Sequence, residues 1–273
     1  MPELPEVEVT RRGLAPHLSG RQVQDVILRR AGLRWPFPAN LPALLRGRTI
    51  LSAGRRGKYL LLNFVHGTLL IHLGMSGHLR VLPKETPAGK HDHIDIVIGS
   101  QVLRMTDPRR FGAVLWHDGA DGDIAQHLLL RQLGVEPLED QFSAELLYRQ
   151  TRQRSAAIKQ VLLAGDIVVG VGNIYASESL FKARINPKTP ARRIGMARYV
   201  LLAAAIRETL TAAIEQGGST LKDFIGVDGQ SGYFQQNYFV YDREGQACRV
   251  CGQAIRQIRQ GQRSSFYCVH CQK

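Results

Sequence analysis

The sequence predicts an α+β chain in three successive parts: an N-terminal helix with a β-sandwich, then a helical domain, then a small cysteine-rich module. Three observations carry that expectation. Short apolar runs broken by turn residues fill residues from about 21 to 116, helical periodicity takes over from about 123, and the cysteines stand only at 248, 251, 268 and 271. Strands followed by helices, rather than alternating with them, point to segregated layers and two domains, the second carrying the cysteine module. The expected boundaries are 1–118 for the sandwich, 119–134 for a linker, 135–228 for the helical domain and 238–273 for the module. A chain of 273 residues is long enough for cores of ordinary size in both domains.

The opening "MPELPEVEV" reads as the entry to a helix, with Pro5 suited to its first turn and acidic residues there complementing the helix dipole. That reading gives no reason for Pro2 and Glu3, which precede the helix. "KYLLLNF" and "GTLLIHL" read as strands with a break at His66 and Gly67. "HIDIVIGSQVLRMTD" alternates on both sides of Gly99 and Ser100, as a hairpin would. The segments "DIAQHLLLRQL", "AELLYRQ", "SAAIKQVLLAG", "NIYASESLFKARI" and "ARYVLLAAAIRETLTAAIEQ" read as helices. Within "AGDIVVGVGNIYASESLF" one helix is expected to end near Gly165 and another to start around Asn173. Gly170 and Gly172 allow the backbone to approach another surface closely, and the new helix offers N–H groups to a phosphate. Asn173 can cap that helix or bond the phosphate, and an ordinary helix–helix turn is the plain alternative.

Lys and Arg number 36 against 23 Asp and Glu, a formal charge of +13 with a pI near 10.0. Such a balance points to a polyanionic partner, nucleic acid ahead of a membrane surface. The cations come in short clusters (Arg29-Arg30, Arg55-Arg56 with Lys58, Arg109-Arg110, Arg152 with Arg154, and 256–263). That spread suggests a folded groove tracking phosphates rather than a basic tail. With no apolar run of about 18 residues and no secretory pattern at the start, no membrane partner and a cytoplasmic location are expected. Cys248-x2-Cys251 and Cys268-x2-Cys271, sixteen residues apart, supply four thiolates for one tetrahedral, structural Zn2+. Two disulfides are the alternative, which a cytosolic setting disfavours. His270 is expected to be exposed beside a completed set of ligands.

Taken together, "MPELPEVE", "GRRGKYLLL", "HLGMSG", "KHDHID", "TDPRRFG", "VVGVGNIYASE", "GGSTLKDF" and the four-cysteine element resemble the bacterial formamidopyrimidine-DNA glycosylases. These form the oxidised-purine branch of a family that also contains endonuclease VIII. The resemblance runs from Met1 to Lys273 with the motifs in order. It implies that the helical domain is a helix–two-turn–helix unit and the cysteine module a zinc finger. It further implies a monomer acting on double-stranded damaged DNA as a bifunctional glycosylase and AP lyase.

In that family the initiator methionine is removed, which would give Pro2 a free secondary amine. An α-amino group has a reference pKa of roughly 7.7–8.0 against about 10.4 for lysine, so more of it is unprotonated at neutral pH. By resemblance, Pro2 is the nucleophile at the sugar C1′ and Glu3 the general acid/base. Lys58 contacts phosphate and assists β-elimination, and Arg263 is the zinc-finger arginine with a part in δ-elimination. Met75, Arg109 and Phe111 fill the gap left by the flipped base. His91, Arg109, Arg154 and Asn173 match DNA contacts, and Lys222 lies in the segment leading into the loop over the base. Glu6 falls near the site with no defined role.

Two departures from the family pattern are Val135 in "LGVEPL", where proline is common, and Gly165 in "LAGD", expected to loosen a helix end. Two other readings compete. The pyrimidine branch opens "PEGPE", whereas this chain has Leu4. A non-catalytic zinc-ribbon DNA-binding protein would account for the charge and the cysteines but would leave Pro2, Glu3 and Lys58 without a role.

Overall fold

The computed structural model describes residues 2–219 and 233–273. They divide into two units: the residues up to Arg131 with 216–219 and Tyr233, and Gln132–Glu215 with Phe234–Lys273.

The first unit opens with α1 (Leu4–Leu18), β1 (Asp25–Leu28) and the short α2 (Leu41–Leu45). It continues with β2 (Ser52–Arg56), β3 (Tyr59–Phe64), β4 (Gly67–His72), β5 (His78–Pro83), β6 (Asp92–Ile98), β7 (Gln101–Thr106) and β8 (Ala113–Asp118). Two antiparallel four-stranded sheets result, ordered β1-β6-β7-β5 and β2-β3-β4-β8. Leu60, Leu62, Leu69 and Ile71 of one sheet share a core with Ile94, Ile96, Leu103 and Met105 of the other, which is the sandwich expected from the alternation. The β6–β7 hairpin turns at Gly99, whose φ of +60° is open to glycine. Val7, Leu14 and Leu18 recur at helical spacing and enter the same core, so α1 lies on β2, β3 and β5.

The second unit holds α3 (Ala144–Thr151), α4 (Ile158–Ala164), α5 (Asn173–Lys182), α6 (Met196–Glu215) and the hairpin β9 (Arg256–Gln260) with β10 (Arg263–Tyr267). α6 packs on α3 and α5, and α5 packs on α4 and β10. Ser143 caps α3 by accepting the Leu146 N–H at 3.1 Å. Gly165 does not loosen the end of α4. It takes the left-handed conformation, φ +76°, that closes a helix cleanly. Glu178 on α5 is buried and accepts the backbone N–H groups of Phe239, Val240 and Tyr241 at 2.8, 3.0 and 2.8 Å. Burial pushes its carboxyl above the usual range, while those three donors pull it back.

One expected helix is absent. "DIAQHLLLRQL" forms a 3-10 turn over Ile124–Gln126 and then irregular turns. The Asp123 carboxylate accepts the Ala125 N–H at 2.8 Å, and Leu128 is left 68% exposed. No helix among the described residues is long and apolar enough to cross a membrane.

Candidate active site and metal centre

Pro2 and Glu3 are both buried at the head of α1. Glu3 is the N-cap, and with Glu6 it forms a reciprocal capping box in which the Glu3 N–H donates to Glu6 Oε2 at 2.8 Å. Glu6 is fully buried, and its Oε1 accepts the Ser219 N–H at 2.9 Å. The residue without a defined role in the sequence is therefore a tie between the first turn of α1 and the segment that leads into 220–232. Gly218, at φ +82°, passes so close that a Cβ would lie 3.2 Å from Glu6 Oε1. Further along α1, Glu8 meets Arg11 at 2.8 Å, Arg12 at 2.8 Å and Arg55 of β2 at 3.1 Å. Burial pushes its carboxyl up, but the hydrogen bonds from Arg11 and Arg12 and the charges of Arg11 and Arg55 outweigh that and bring it down to about 2.

Lys58 sits half-buried in the β2–β3 turn, beside Gly57 at φ +56°. Both strands flanking that turn pack against α1, which Pro2 and Glu3 immediately precede. Tyr59, next to Lys58, pairs in register with His72, their rings 4.9 Å apart. His72 Nδ1 accepts the Gly74 N–H at 3.0 Å, so its own proton stands on Nε2. Burial first, then the charges of Lys58 and Arg34, lowers His72 to about 4. It is neutral at pH 7 and adds no positive charge beside Lys58.

Met75 lies half-buried in the β4–β5 connection, while Arg109 and Phe111 stand exposed in the β7–β8 connection. The Arg109 guanidinium lies 5.1 Å from the Phe111 ring centroid. His91 is exposed immediately before β6. Lys222 lies outside the described residues.

In the second unit Arg154 is exposed and forms an ion pair with Asp166. Asn173 is the first residue of α5 with Gly172 at the cap, so it does not take the capping role open to it in the sequence. Its Oδ1 is buried and has no hydrogen-bond partner among the described residues. Arg263 is exposed at the start of β10, opposite Gln260. Just beyond it in the hairpin, the fully buried Lys159 donates from Nζ to the Ser264 carbonyl at 2.9 Å and to Ser265 Oγ at 2.8 Å.

The four cysteine Sγ atoms lie within 4.8 Å of one another, with Cys251–Cys268 at 3.4 Å and Cys248–Cys271 at 3.9 Å. A Zn–S bond of about 2.3 Å gives a tetrahedron with an edge of roughly 3.8 Å, so the donor set fits zinc in size and chemistry. His270 is exposed and outside the set, as expected. With four thiolates the shell is closed and the site is structural.

This fold and metal centre define a zinc-finger protein of the helix–two-turn–helix class. Family models match in sequence along the chain: the formamidopyrimidine-DNA glycosylase N-terminal domain over residues 1–114, its H2TH domain over 133–225, and the zinc finger found in FPG and IleRS over 245–273. The chain belongs to the formamidopyrimidine-DNA glycosylase family. It is 74% identical over 273 residues to the formamidopyrimidine-DNA glycosylase of Janthinobacterium sp. (strain Marseille), and 72% identical to that of Herminiimonas arsenicoxydans, with all of each chain covered. Among solved structures, the MutM (Fpg) protein of Thermus thermophilus is 37% identical with a TM-score of 0.89, covering 99% of this chain and 98% of that one. Lactococcus lactis Fpg in complex with abasic-site DNA is 30% identical with a TM-score of 0.91, both chains covered in full.

Proposed function

We propose that the protein is a bifunctional DNA glycosylase and AP lyase of base excision repair, working as a cytoplasmic monomer on damaged duplex DNA. Its substrates are oxidised purines, 8-oxoguanine and formamidopyrimidines. The observation that carries this reading is the buried Pro2-Glu3 pair at the start of α1, held by Glu6. Relatives support it: a mutant of Lactococcus lactis Fpg has been crystallised with DNA containing Fapy-dG, and Lactococcus lactis Fpg with DNA containing an abasic site.

Once Met1 is removed, the Pro2 nitrogen bonds to C1′ as the bond from C1′ to the damaged base breaks. The departing base takes up the proton that the Pro2 amine gives up, and Glu3 protonates the sugar ring oxygen, opening the ring and leaving a cationic iminium between Pro2 and C1′. The iminium draws electrons, so the C2′ proton is lost and the 3′ phosphate leaves; a second elimination releases the 5′ phosphate. Hydrolysis then frees Pro2, leaving a gap with phosphates at both ends. Lys58 holds phosphate for the first elimination and Arg263 for the second, as charge-assisted contacts. Met75, Arg109 and Phe111 occupy the space of the everted base. His91, Arg154 and Asn173 contact the DNA backbone or bases, and Lys222 belongs to the segment leading into the loop over the base. Residues 1–118 carry Pro2, Glu3 and Lys58, the linker is 119–134, and 135–228 and 238–273 bind the duplex, the latter contributing Arg263 to the second elimination.

Leu4 is fully buried at the position where the pyrimidine branch has glycine, which favours the purine branch. The test is borohydride trapping on a duplex carrying 8-oxoguanine opposite cytosine, with protein shown by intact mass to lack Met1. A cross-link on Pro2 in the peptide map is expected; one on Lys58 overturns the assignment. Faster cutting of thymine glycol than of 8-oxoguanine would move the protein to the pyrimidine branch.

A further inference from the structure

The three side chains read above as gap-fillers come from two separate strand connections, 73–77 and 107–112. Something must hold those connections in register while they push into a stacked duplex. Asp107 is fully buried, and its two carboxylate oxygens go to different places. Oδ1 accepts the Ser76 hydroxyl at 2.7 Å, beside Met75, and Oδ2 accepts the Gly112 N–H at 2.8 Å, beside Phe111. Ser76 Oγ in turn accepts the Arg109 N–H at 3.2 Å.

The backbone of Asp107 extends the same brace. Its N–H donates to the His91 carbonyl at 3.0 Å, and its carbonyl accepts from His93 Nε2 at 2.8 Å and from the Arg110 N–H at 3.2 Å. One residue thus reaches the Met75 turn, the 107–112 loop and the approach to β6 that carries His91. The two connections also abut without slack. Gly74 takes φ +64°, and a Cβ there would lie 2.4 Å from the Phe111 carbonyl carbon. Arg110, between the two gap-fillers of its loop, is held at φ +59°, a conformation that L side chains seldom adopt.

We propose that Asp107 and Ser76 are positioning residues that lock the Met75 turn to the 107–112 loop, so that base eviction is driven by one rigid piece. This rests on the gap-filling role proposed for Met75, Arg109 and Phe111. Eviction works against a few kcal/mol of stacking and pairing. Two independently mobile loops would yield to that load, whereas loops sharing a buried carboxylate and a bonded hydroxyl move only together. The chemistry at Pro2 is a separate matter, because a single-stranded abasic site has no base to evict.

The experiment compares wild type, Ser76→Ala, Ser76→Thr and Asp107→Asn, each first shown by thermal melting to be folded. Two readouts are taken: single-turnover excision of 8-oxoguanine from duplex, and borohydride trapping on a single-stranded abasic oligonucleotide. A third, 2-aminopurine fluorescence beside the lesion, reports unstacking directly. Ser76→Ala and Asp107→Asn are expected to slow duplex excision by roughly ten- to a hundredfold, as small misplacements do. Both should diminish the unstacking signal while leaving single-strand trapping within about twofold. Ser76→Thr, which keeps the hydroxyl, is expected to restore both duplex readouts. Equal loss on duplex and single strand, or unchanged unstacking in Ser76→Ala, overturns the proposal. Should wild type trap no abasic strand at all, the chemistry proposed above falls, and the 2-aminopurine comparison still decides the brace.

Discussion

Glu8 is one of the carboxylates through which acid destabilises the first unit. Glu8 carries three guanidinium partners, and its pKa stands at about 2 against a usual 4.5. A depression of roughly 2.5 units corresponds to a ceiling of about 3.4 kcal/mol of folding stability at neutral pH. Water screens part of it, because Arg12 is 58% exposed and Arg11 28%, while only Arg55, at 12%, is well enclosed. The realised contribution is accordingly about 1–2 kcal/mol. A depressed carboxylate stabilises fully above its unfolded pKa and loses that effect as pH falls through the folded one, so the window runs from 4.5 down to about 2. Glu8→Gln keeps the shape and removes the charge. Its deficit against wild type is expected to be about 1–2 kcal/mol at pH 7 and to shrink to roughly 40% of that at pH 3. Both tryptophans, Trp35 and Trp116, lie in the first unit, so tryptophan fluorescence in a urea titration follows that unit alone. A deficit of the same size at pH 7 and pH 3 would refute the reasoning, as would none at pH 7.

Replacing Cys248 with serine removes one of four thiolates from a site whose binding energy is also folding energy. Zinc content by metal analysis should drop and DNA affinity with it; a zinc-free, reduced protein that binds DNA normally would contradict this. Arg154→Ala and Arg263→Ala should each flatten the log–log salt dependence of DNA binding by about one unit, and an unchanged slope in both removes them from the interface. Lys159→Met strips the donor from Ser264 and Ser265 inside the second unit, for an expected loss of about 2–4 kcal/mol in chemical denaturation followed by far-ultraviolet circular dichroism. Wild-type stability in that variant would show the buried ammonium to be dispensable.

The sandwich was legible because its strands are runs of apolar residues punctuated by turn residues, and Gly99 turns where the alternation says it should. The metal centre was legible because ligand spacing is a local property. What sequence reading missed are charged residues whose partners are remote. Lys159 reaches residues more than a hundred positions away and Glu178 reaches some sixty, and neither differs in sequence from a solvated charge. Asp107 stood inside a motif quoted for its arginine and phenylalanine, and an Asp-Pro step reads most simply as a turn. The one false helix failed for a local reason. "DIAQHLLLRQL" has helical spacing, but Asp123 satisfies the nearby backbone with its own side chain and the apolar face finds nothing to cover Leu128.

The three amides gathered by Glu178 bear on the lifetime of the molecule in a cell. Phe181, three residues further along α5, shares a small core with Val240, Ile255, Phe266 and two of the cysteines, so the lead-in segment and the finger hold to that helix together. A newly made chain that finds no zinc leaves that core unbuilt and the Glu178 carboxylate stripped of its donors inside the protein. Such a chain would lose the packing of its 239–273 segment on α5, while α5 keeps its packing on α4 and α6, and would expose that segment to proteases. Metal scarcity would then lower the number of repair enzymes rather than fill the cell with inert ones occupying damaged sites, and the surviving population would be the fully loaded one.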